Sequence, residues 1–314
     1  MTLIGSSDLD VFPLGLGGNT FGWTSDEETS FAVLDAYVAG GGNFIDTADL
    51  YSAWLPGHSG GESESIIGHW LTARGNRDSV VIASKVGAHP QLRGLARANV
   101  LAAADASLAR LRTDRIDLYY VHYDDPKTPV AEAAGVFSEL QKAGKIRHVG
   151  LSNFTAPRLR EWLAAADAEG FTRPVALQPH YNLVERASYE TELAPVAAEF
   201  GLGVLPYYGL ASGFLAGKYR SAADNGGTAR QPSAARYLTP SGLAVLAALD
   251  SVAAERGVAP ATVALAWLRT RPDVVAPLAS ARTVEQLPAL LASATLDLTA
   301  DEIESLDKAS SPAS

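Results

Sequence analysis

The chain has 314 residues, of which 47% are hydrophobic and 19% are charged, a composition typical of soluble globular proteins. Its formal net charge of −10 argues against nucleic acid and anionic membranes as partners. The absence of cysteine excludes disulfides, a thiolate nucleophile and cysteine-ligated zinc. No signal peptide is evident, and no stretch of about 18 uncharged apolar residues is present to span a bilayer. We therefore expect a cytoplasmic protein without a membrane partner.

The order of apolar and helical segments predicts the fold. Residues 1–11 have the pattern of a short hairpin that turns at 6–8, and 13–18 form a glycine-rich first strand. Helical patterns then cover 27–39, 62–74, 97–111, 130–143, 156–168, 189–199, 241–256 and 283–293. Apolar runs lie between them at 43–46, 80–84, 116–121, 147–151, 174–178, 203–207 and 273–278.

These apolar runs have the features of strands in a parallel sheet. They are continuously apolar rather than alternating, as expected of strands that are buried on both faces. Their alternation with helices, about every 35 residues, indicates a parallel arrangement. Eight strands with eight helical connections favour closure of the sheet. We thus predict an α/β protein, a (β/α)8 TIM barrel with an N-terminal hairpin, formed by residues 1–314 as a single domain.

One segment, 221–240, interrupts this regular alternation. It follows the seventh predicted strand, is rich in Ala, Gly and Ser, and contains Arg230 and Arg236. A loop of this length inside a compact domain is usually a lid or disordered. The two guanidinium groups would suit a pyrophosphate. We predict a lid-like loop that becomes ordered over a bound ligand.

Three successive predicted strands end in reactive side chains. The run 43–46 ends at Asp46 with Tyr51 on the loop beyond it, 80–84 is followed by Lys85, and 116–121 is followed by His122. In barrels of this type the chemistry takes place on the loops after the strands. Neighbouring strands are about 4.8 Å apart, so we expect these four side chains to converge in one site.

Together the four side chains suit the transfer of one proton. A tyrosine normally titrates near about pH 10, and a close Lys85 ammonium would lower the pKa of Tyr51. Asp46 would keep Lys85 charged and in position. His122 could donate a hydrogen bond to a carbonyl oxygen. This set suits carbonyl reduction, but it contains no electron source, so a hydride donor must be bound as well.

Further segments match those of a known family. They are 14–18, 43–48 with Tyr51, 61–64, 83–85, 117–122, 150–154, Gln178 with 181–182, and 210–219. Over essentially its whole length the chain resembles an aldo-keto reductase, and Asp46, Tyr51, Lys85 and His122 have the spacing of that family's catalytic tetrad. The resemblance implies a (β/α)8 barrel, NADPH as hydride donor, and Tyr51 as general acid. It also implies that a small-molecule aldehyde or ketone, with sugar-like carbonyls among the candidates, is reduced to the alcohol.

The resemblance implies positions for the cofactor too. Three polar residues would hold the nicotinamide carboxamide and a tyrosine would stack on its ring: Ser152, Asn153, Gln178 and Tyr207. Three others would meet the adenosine 2′-phosphate end: Ser280, Arg282 and Gln286. A guanidinium suits a phosphate, which favours NADPH over NADH. The remaining expected cofactor contacts are Gly18, Asn19, Thr20, Asp46, Leu210 and Ser212.

The sequence departs from the family pattern in three places. The usual Ser-Pro after Tyr207 is replaced by Tyr208-Gly209, and the usual acid–asparagine pair against the adenine is replaced by Ala289-Leu290. The loop 52–60 is also longer than usual. We predict that the wall of the substrate pocket consists of Phe21, Trp23, Trp54 and His122. The six histidines show no metal-ligand spacing, so no metal is expected, and the oligomeric state is left open.

Three other classes of protein compete with this interpretation. A cofactor-binding, channel-associated redox sensor with slow or absent turnover would keep the same tetrad, and only a turnover assay separates it from a reductase. A serine hydrolase is suggested by Gly57, Ser59 and Gly61, but its nucleophile needs a buried strand directly before it. Tyr123 and Lys127 have the spacing of a short-chain dehydrogenase pair, but Pro126 disfavours the helix which that pair requires.

Overall fold

The computed structural model of the protein describes residues 1–221 and 231–311. Two short strands, β1 (Thr2–Leu3) and β2 (Asp10–Val11), pair antiparallel and form the expected hairpin. The strands of the main sheet are β3 (Gly15–Gly17), β4 (Phe44–Asp46), β5 (Val81–Val86), β6 (Ile116–Val121), β7 (Ile146–Ser152), β8 (Pro174–Gln178), β9 (Gly203–Val204) and β10 (Leu278–Ala279).

These eight strands form one parallel sheet in the order β10-β3-β4-β5-β6-β7-β8-β9. The two edges meet, since Val204 bridges Val274 in parallel and the Leu278 amide donates to the Pro206 carbonyl at 2.9 Å. The predicted α/β class and (β/α)8 barrel are therefore confirmed. The last two strands are shorter than predicted because Pro206 and Pro277 lack the amide hydrogen that a sheet ladder requires.

Helices surround this barrel. They are α1 (Glu27–Ala39), α2 (Glu62–Arg74), α3 (Arg97–Leu111), α4 (Val130–Lys142), α5 (Ala156–Glu169), α6 (Ala194–Phe200), α7 (Gln231–Ala235), α8 (Pro240–Arg256), α9 (Pro260–Arg269), α10 (Leu287–Leu291) and α11 (Ala300–Ala309). The predicted helix 189–199 begins with a π-helical turn, and 283–293 is divided between α10 and two 3-10 turns. The sequence did not predict α7, α9 or α11. Within the described residues, no helix has the length and apolarity to cross a membrane.

The hairpin closes one end of the barrel. Ile4, Leu9 and Val11 are at most 1% exposed and pack in a cluster with residues near the starts of several strands, among them Phe44 and Val175. This is the N-terminal end of the parallel strands. The opposite, C-terminal end is left for the loops that follow each strand, and the predicted reactive residues lie there.

Candidate active site

Asp46, Lys85 and Tyr51 form a connected group at the C-terminal ends of β4 and β5. The Lys85 ammonium nitrogen lies 2.6 Å from Asp46 Oδ2 and donates to the Tyr51 hydroxyl at 3.0 Å. It also donates to the Thr47 carbonyl at 2.8 Å, so all three of its hydrogens have acceptors. Lys85 is 1% exposed and Asp46 is 2% exposed, whereas part of Tyr51 remains open to the cavity. The ion pair of Lys85 and Asp46 is thus buried next to the Tyr51 hydroxyl.

This environment shifts the pKa of Tyr51 upward, not downward as the sequence suggested. Burial raises the pKa of Tyr51 to about 12, and the nearby Lys85 ammonium offsets only part of that shift. Although burial opposes the charge, the Asp46 carboxylate and Tyr51 together raise the pKa of Lys85. The expected direction was wrong because the cost of burying a phenolate outweighs its attraction to the ammonium. At neutral pH Tyr51 is therefore a phenol that holds its proton.

His122 directly follows β6 and faces the same space. Its ring centre lies 6.3 Å from that of Tyr51, and its pKa is well below the usual range because of burial and the Lys85 charge. A neutral imidazole with one N–H can donate a hydrogen bond without adding charge to the site. Among the described residues, His122 Nδ1 has no hydrogen-bond partner.

The ends of β7 and β8 present amide and hydroxyl groups next to the tetrad. Asn153 Nδ2 donates to the His122 carbonyl at 2.8 Å, and its Oδ1 accepts from the Tyr207 hydroxyl at 2.7 Å. These two bonds hold Asn153 at φ 55°, a left-handed conformation that asparagine tolerates better than most residues. Gln178 Nε2 donates to Asp46 Oδ1 at 2.9 Å, and Ser152 Oγ donates to the Gln178 carbonyl at 2.9 Å.

The ends of β3 and β10 form the other side of the same space. Ser280 Oγ donates to Asn19 Oδ1 at 2.7 Å, and the Arg282 amide donates to Gln286 Oε1 at 3.0 Å. The guanidinium of Arg282 has no ion pair or hydrogen bond with any other described residue. Thr20 Oγ1 donates to the Ala281 carbonyl at 3.1 Å and is fully buried, so it fastens the turn after β3 to β10.

A single cavity of about 500 Å³ connects these groups. The expected site residues that line it are Asn19, Asp46, Tyr51, Trp54, His122, Ser152, Asn153, Gln178, Tyr207, Leu210, Ser212, Ser280, Arg282 and Gln286. Lys85, Gly18, Thr20 and Trp23 lie outside the lining.

Phe21 requires a correction, since it was expected in the pocket wall. It is fully buried in the main core, where no ligand in the cavity can touch it. Trp23 lies next to the wall, with its ring centre 5.4 Å from that of Trp54. It supports the lining but does not belong to it.

Sequence reasoning missed Tyr123 and Tyr208, which also line the cavity. Each directly follows a residue that was selected at a strand end, namely His122 and Tyr207, so the same positional rule would have found both. It also missed Asp49, a buried acid between Asp46 and Tyr51. Neither carboxyl oxygen of Asp49 has a hydrogen-bond partner among the described residues.

The competing motifs do not form the sites that their sequences suggested. Ser59 lies on an exposed loop with no strand before it, and its amide donates to Glu62 Oε1 at 2.8 Å. The segment 123–127 is not helical. Most of the predicted lid, 222–230 with Arg230, lies outside the described residues. Arg236 packs on the neighbouring Tyr237, with its guanidinium carbon 4.6 Å from the ring centre.

Comparison with known proteins agrees with this geometry. The model of the Aldo/keto reductase family matches residues 13–311. Protein tas of Escherichia coli is 35% identical over 330 residues, which cover 96% of this chain and 94% of that protein. The oxidoreductase YrpG of Bacillus subtilis is 37% identical over 295 residues, with 91% and 88% covered. Norsolorinic acid reductase stcV of Emericella nidulans is 34% identical over 317 residues, with 95% and 78% covered. The chain belongs to the aldo/keto reductase family and is an oxidoreductase.

Proposed function

We propose that this chain, acting as one barrel domain over residues 1–314, reduces an aldehyde or ketone to the alcohol with NADPH, and that Tyr51 is the general acid. The observation that carries the proposal is the contact of one buried ammonium with both partners: Lys85 Nζ lies 2.6 Å from Asp46 and 3.0 Å from Tyr51. Tyr51 lines a cavity that His122 also lines.

The side chains of the cavity fit a nicotinamide dinucleotide. Its volume of about 500 Å³ lies within the range of about 300–1,000 Å³ that is usual for ligand sites. Ser152, Asn153 and Gln178 offer amide and hydroxyl groups to a carboxamide, and Tyr207 offers a ring. Arg282 offers a guanidinium that no other described residue neutralises. The cofactor, when bound, supplies the hydride that the protein's own side chains cannot.

The proposed roles of the tetrad follow from its protonation states. Tyr51 holds its proton at neutral pH and gives it to the carbonyl oxygen as charge develops there. Lys85 donates a hydrogen bond to the Tyr51 hydroxyl and stabilises the phenolate left behind. Asp46 keeps Lys85 charged and in place. Neutral His122 donates a hydrogen bond to the same carbonyl oxygen and so orients the substrate.

The test of the acid is Tyr51→Phe, which removes only the hydroxyl. We expect kcat to fall by about 10²–10⁴-fold, because general acid catalysis contributes about that factor. NADPH affinity, measured by fluorescence titration, should stay nearly unchanged, which separates lost chemistry from lost folding. A fall in kcat of less than tenfold would remove Tyr51 from the role. A channel-associated redox sensor would instead bind NADPH with little turnover in the unmodified protein.

The preference for NADPH is tested with Arg282→Ala. A hydrogen bond to a charged group contributes about 1.5–3 kcal/mol, so NADPH should bind about ten- to a hundredfold more weakly. NADH lacks the 2′-phosphate, and its affinity should barely change. Arg220→Ala, which removes an exposed guanidinium paired with Asp250, is a matched control. Equal affinities of the unmodified protein for both cofactors would contradict recognition of the 2′-phosphate.

A further inference from the structure

Aromatic side chains are exposed at one place on the described surface. Trp54, Tyr123 and Tyr208 are 47%, 49% and 47% exposed, and they are the exposed large aromatic residues among those described. All three line the candidate active-site cavity. Large exposed apolar groups that gather in one place usually mark a binding surface. We call these three residues the aromatic rim.

Other rings hold two members of the rim in place. Trp54 meets Trp23 edge-to-face at 5.4 Å and lies 6.3 Å from the Tyr51 ring. Tyr123 is stacked on His122 at 4.8 Å with an angle of 20° between the planes. Each contact fixes one side of a ring and leaves part of it open to the cavity. The rim is thus preorganised next to the proton donor and the neutral histidine.

Tyr208, the third member, has an unusual backbone. Its φ is 56°, in the left-handed region where a tyrosine is rare and strained. Its carbonyl accepts from the buried Asn182 Nδ2 at 2.9 Å and from the Ala211 amide at 2.7 Å, which holds the residue in that conformation. The ring meets Tyr207 at 5.1 Å. Strain of this kind is common at ligand-binding positions.

Few charged side chains line the cavity. Among the described residues, the charged side chains in the lining are Asp46, Lys218 and Arg282. Asp46 is satisfied by Lys85 and Gln178. Lys218 follows a 3-10 turn at Ala211–Ala216 and Arg282 follows β10, so both come from the segments proposed to bind the cofactor.

We propose that the substrate is an aldehyde or ketone with an aromatic ring that lies against Trp54, Tyr123 and Tyr208. This proposal rests on the reductase function proposed above. With the ring on the rim, the carbonyl oxygen reaches toward Tyr51 and His122. The bound cofactor would supply a hydride to the carbonyl carbon and be oxidised, and the oxygen would gain the Tyr51 proton. The rim therefore selects for aromatic rings over saturated ones.

The test compares phenylacetaldehyde with cyclohexylacetaldehyde. The two have the same carbon skeleton, and neither ring is conjugated with the carbonyl, so their intrinsic reactivities are close. Each aromatic contact is expected to contribute about two- to tenfold, so kcat/KM should favour phenylacetaldehyde by at least about tenfold. Equal kcat/KM for the two aldehydes would overturn the proposal and leave the reductase function standing.

Variants assign the preference to the rim. Trp54→Leu and Tyr208→Leu keep an apolar side chain but remove the ring, so each should lower the phenyl-to-cyclohexyl ratio by about two- to tenfold. Tyr208→Phe keeps the ring and should keep the ratio. Leu243→Ala truncates an exposed apolar residue outside the cavity and should leave the phenyl-to-cyclohexyl ratio unchanged. An unchanged ratio in both leucine variants would refute the role of the rim.

A binding measurement separates failure of this proposal from failure of the reductase function. Calorimetric titration of the protein loaded with oxidised cofactor, NADP⁺, with phenylacetone and with cyclohexylacetone reports ring preference without turnover, because NADP⁺ has no hydride to transfer. Tighter binding of phenylacetone supports the aromatic rim even if no aldehyde is reduced. Equal dissociation constants would overturn the rim even if both aldehydes are reduced.

Discussion

Asp49 shows how one residue can affect stability without touching a ligand. It is 1% exposed, and neither of its carboxyl oxygens has a hydrogen-bond partner among the described residues. Burial and the buried Glu64 raise its pKa well above the usual value, whereas Arg110 and Lys85 act in the opposite direction. Asp49 is therefore a neutral acid in the folded protein over a pH range in which it is ionised in the unfolded chain.

This difference predicts how Asp49→Asn changes the pH dependence of stability. Above about pH 4 the unfolded chain loses the Asp49 proton and the folded protein keeps it, so stability falls as pH rises. Asparagine resembles the neutral acid and has no proton to lose. The free energy of unfolding of the variant, relative to the unmodified protein, should therefore rise with pH above about 4 until the folded carboxyl loses its proton, by up to about 1.4 kcal/mol per pH unit.

Urea unfolding at several pH values measures this difference. Asp114→Asn is the control, since the Asp114 side chain is 88% exposed and its removal should give no such rise. A constant difference between Asp49→Asn and the unmodified protein over this range would show that Asp49 is already ionised in the fold.

The proximity of Asp46, Tyr51, Lys85 and His122 could be predicted from sequence, but their protonation states could not. Asp46, Lys85 and His122 end or follow apolar runs, and this position alone indicates the C-terminal face of a barrel. The pKa of Tyr51 depends on how completely the fold buries its hydroxyl. No local sequence pattern indicates the extent of that burial. The positive φ of Tyr208 was equally inaccessible, because it depends on an acceptor contact with Asn182, 26 positions away.

At the scale of elements, α11 is stabilised by contacts at its N-terminus and by an ion pair with a neighbouring helix. Thr299 accepts from the Glu302 amide at 3.3 Å, and Glu302 accepts from the Thr299 amide at 2.7 Å, which forms a capping box. Glu302 also pairs with Arg256 on α8 at 2.6 Å, and these contacts lower its pKa to about 2. The capping box thus joins the last described helix to its neighbour.

Thr299→Ala should therefore destabilise the protein by about 1 kcal/mol, the usual cost of losing an N-cap side chain. Thr299→Ser keeps the hydroxyl and should lose only a fraction of that. Guanidinium unfolding of the three proteins at neutral pH measures the difference. Equal losses for alanine and serine would mean that packing, not the capping hydroxyl, is what Thr299 contributes.

The helices that differ from the sequence prediction do so for different reasons. In α9 a signal was present, since Pro260 stands in the first turn and an apolar run follows it, but the sequence analysis left this segment unassigned. In α11 the signal was present, since Thr299 and Glu302 have the spacing of a capping box. Helix α10 is short because it lies between two 3-10 turns, and such divisions depend on tertiary packing.

At the scale of the whole molecule, the candidate active site and a cluster expected to contribute stability lie at opposite ends of the barrel. The candidate active site lies at the C-terminal ends of the strands, and the hairpin β1–β2 closes the N-terminal end. Gly5 in this hairpin has φ 52°, and a Cβ there would lie 2.3 Å from the Val175 carbonyl, so only glycine fits so close to β8. The separation is common in barrels of this type, where the N-terminal face contributes stability.

Ile4→Ala tests this separation. Ile4 is fully buried in the hairpin cluster, so the truncation should leave a cavity and lower the free energy of unfolding by about 2–5 kcal/mol. The tetrad lies at the other end of the strands, so kcat/KM measured well below the unfolding transition should stay within about twofold, on the expectation that distant sites act independently. Leu3→Ala, at a neighbouring position that is 54% exposed, is the matched control and should change neither quantity. A large fall in kcat/KM for Ile4→Ala in protein that remains folded would show that the hairpin sets the geometry of Asp46 and Lys85 through the barrel, and that the two ends are coupled.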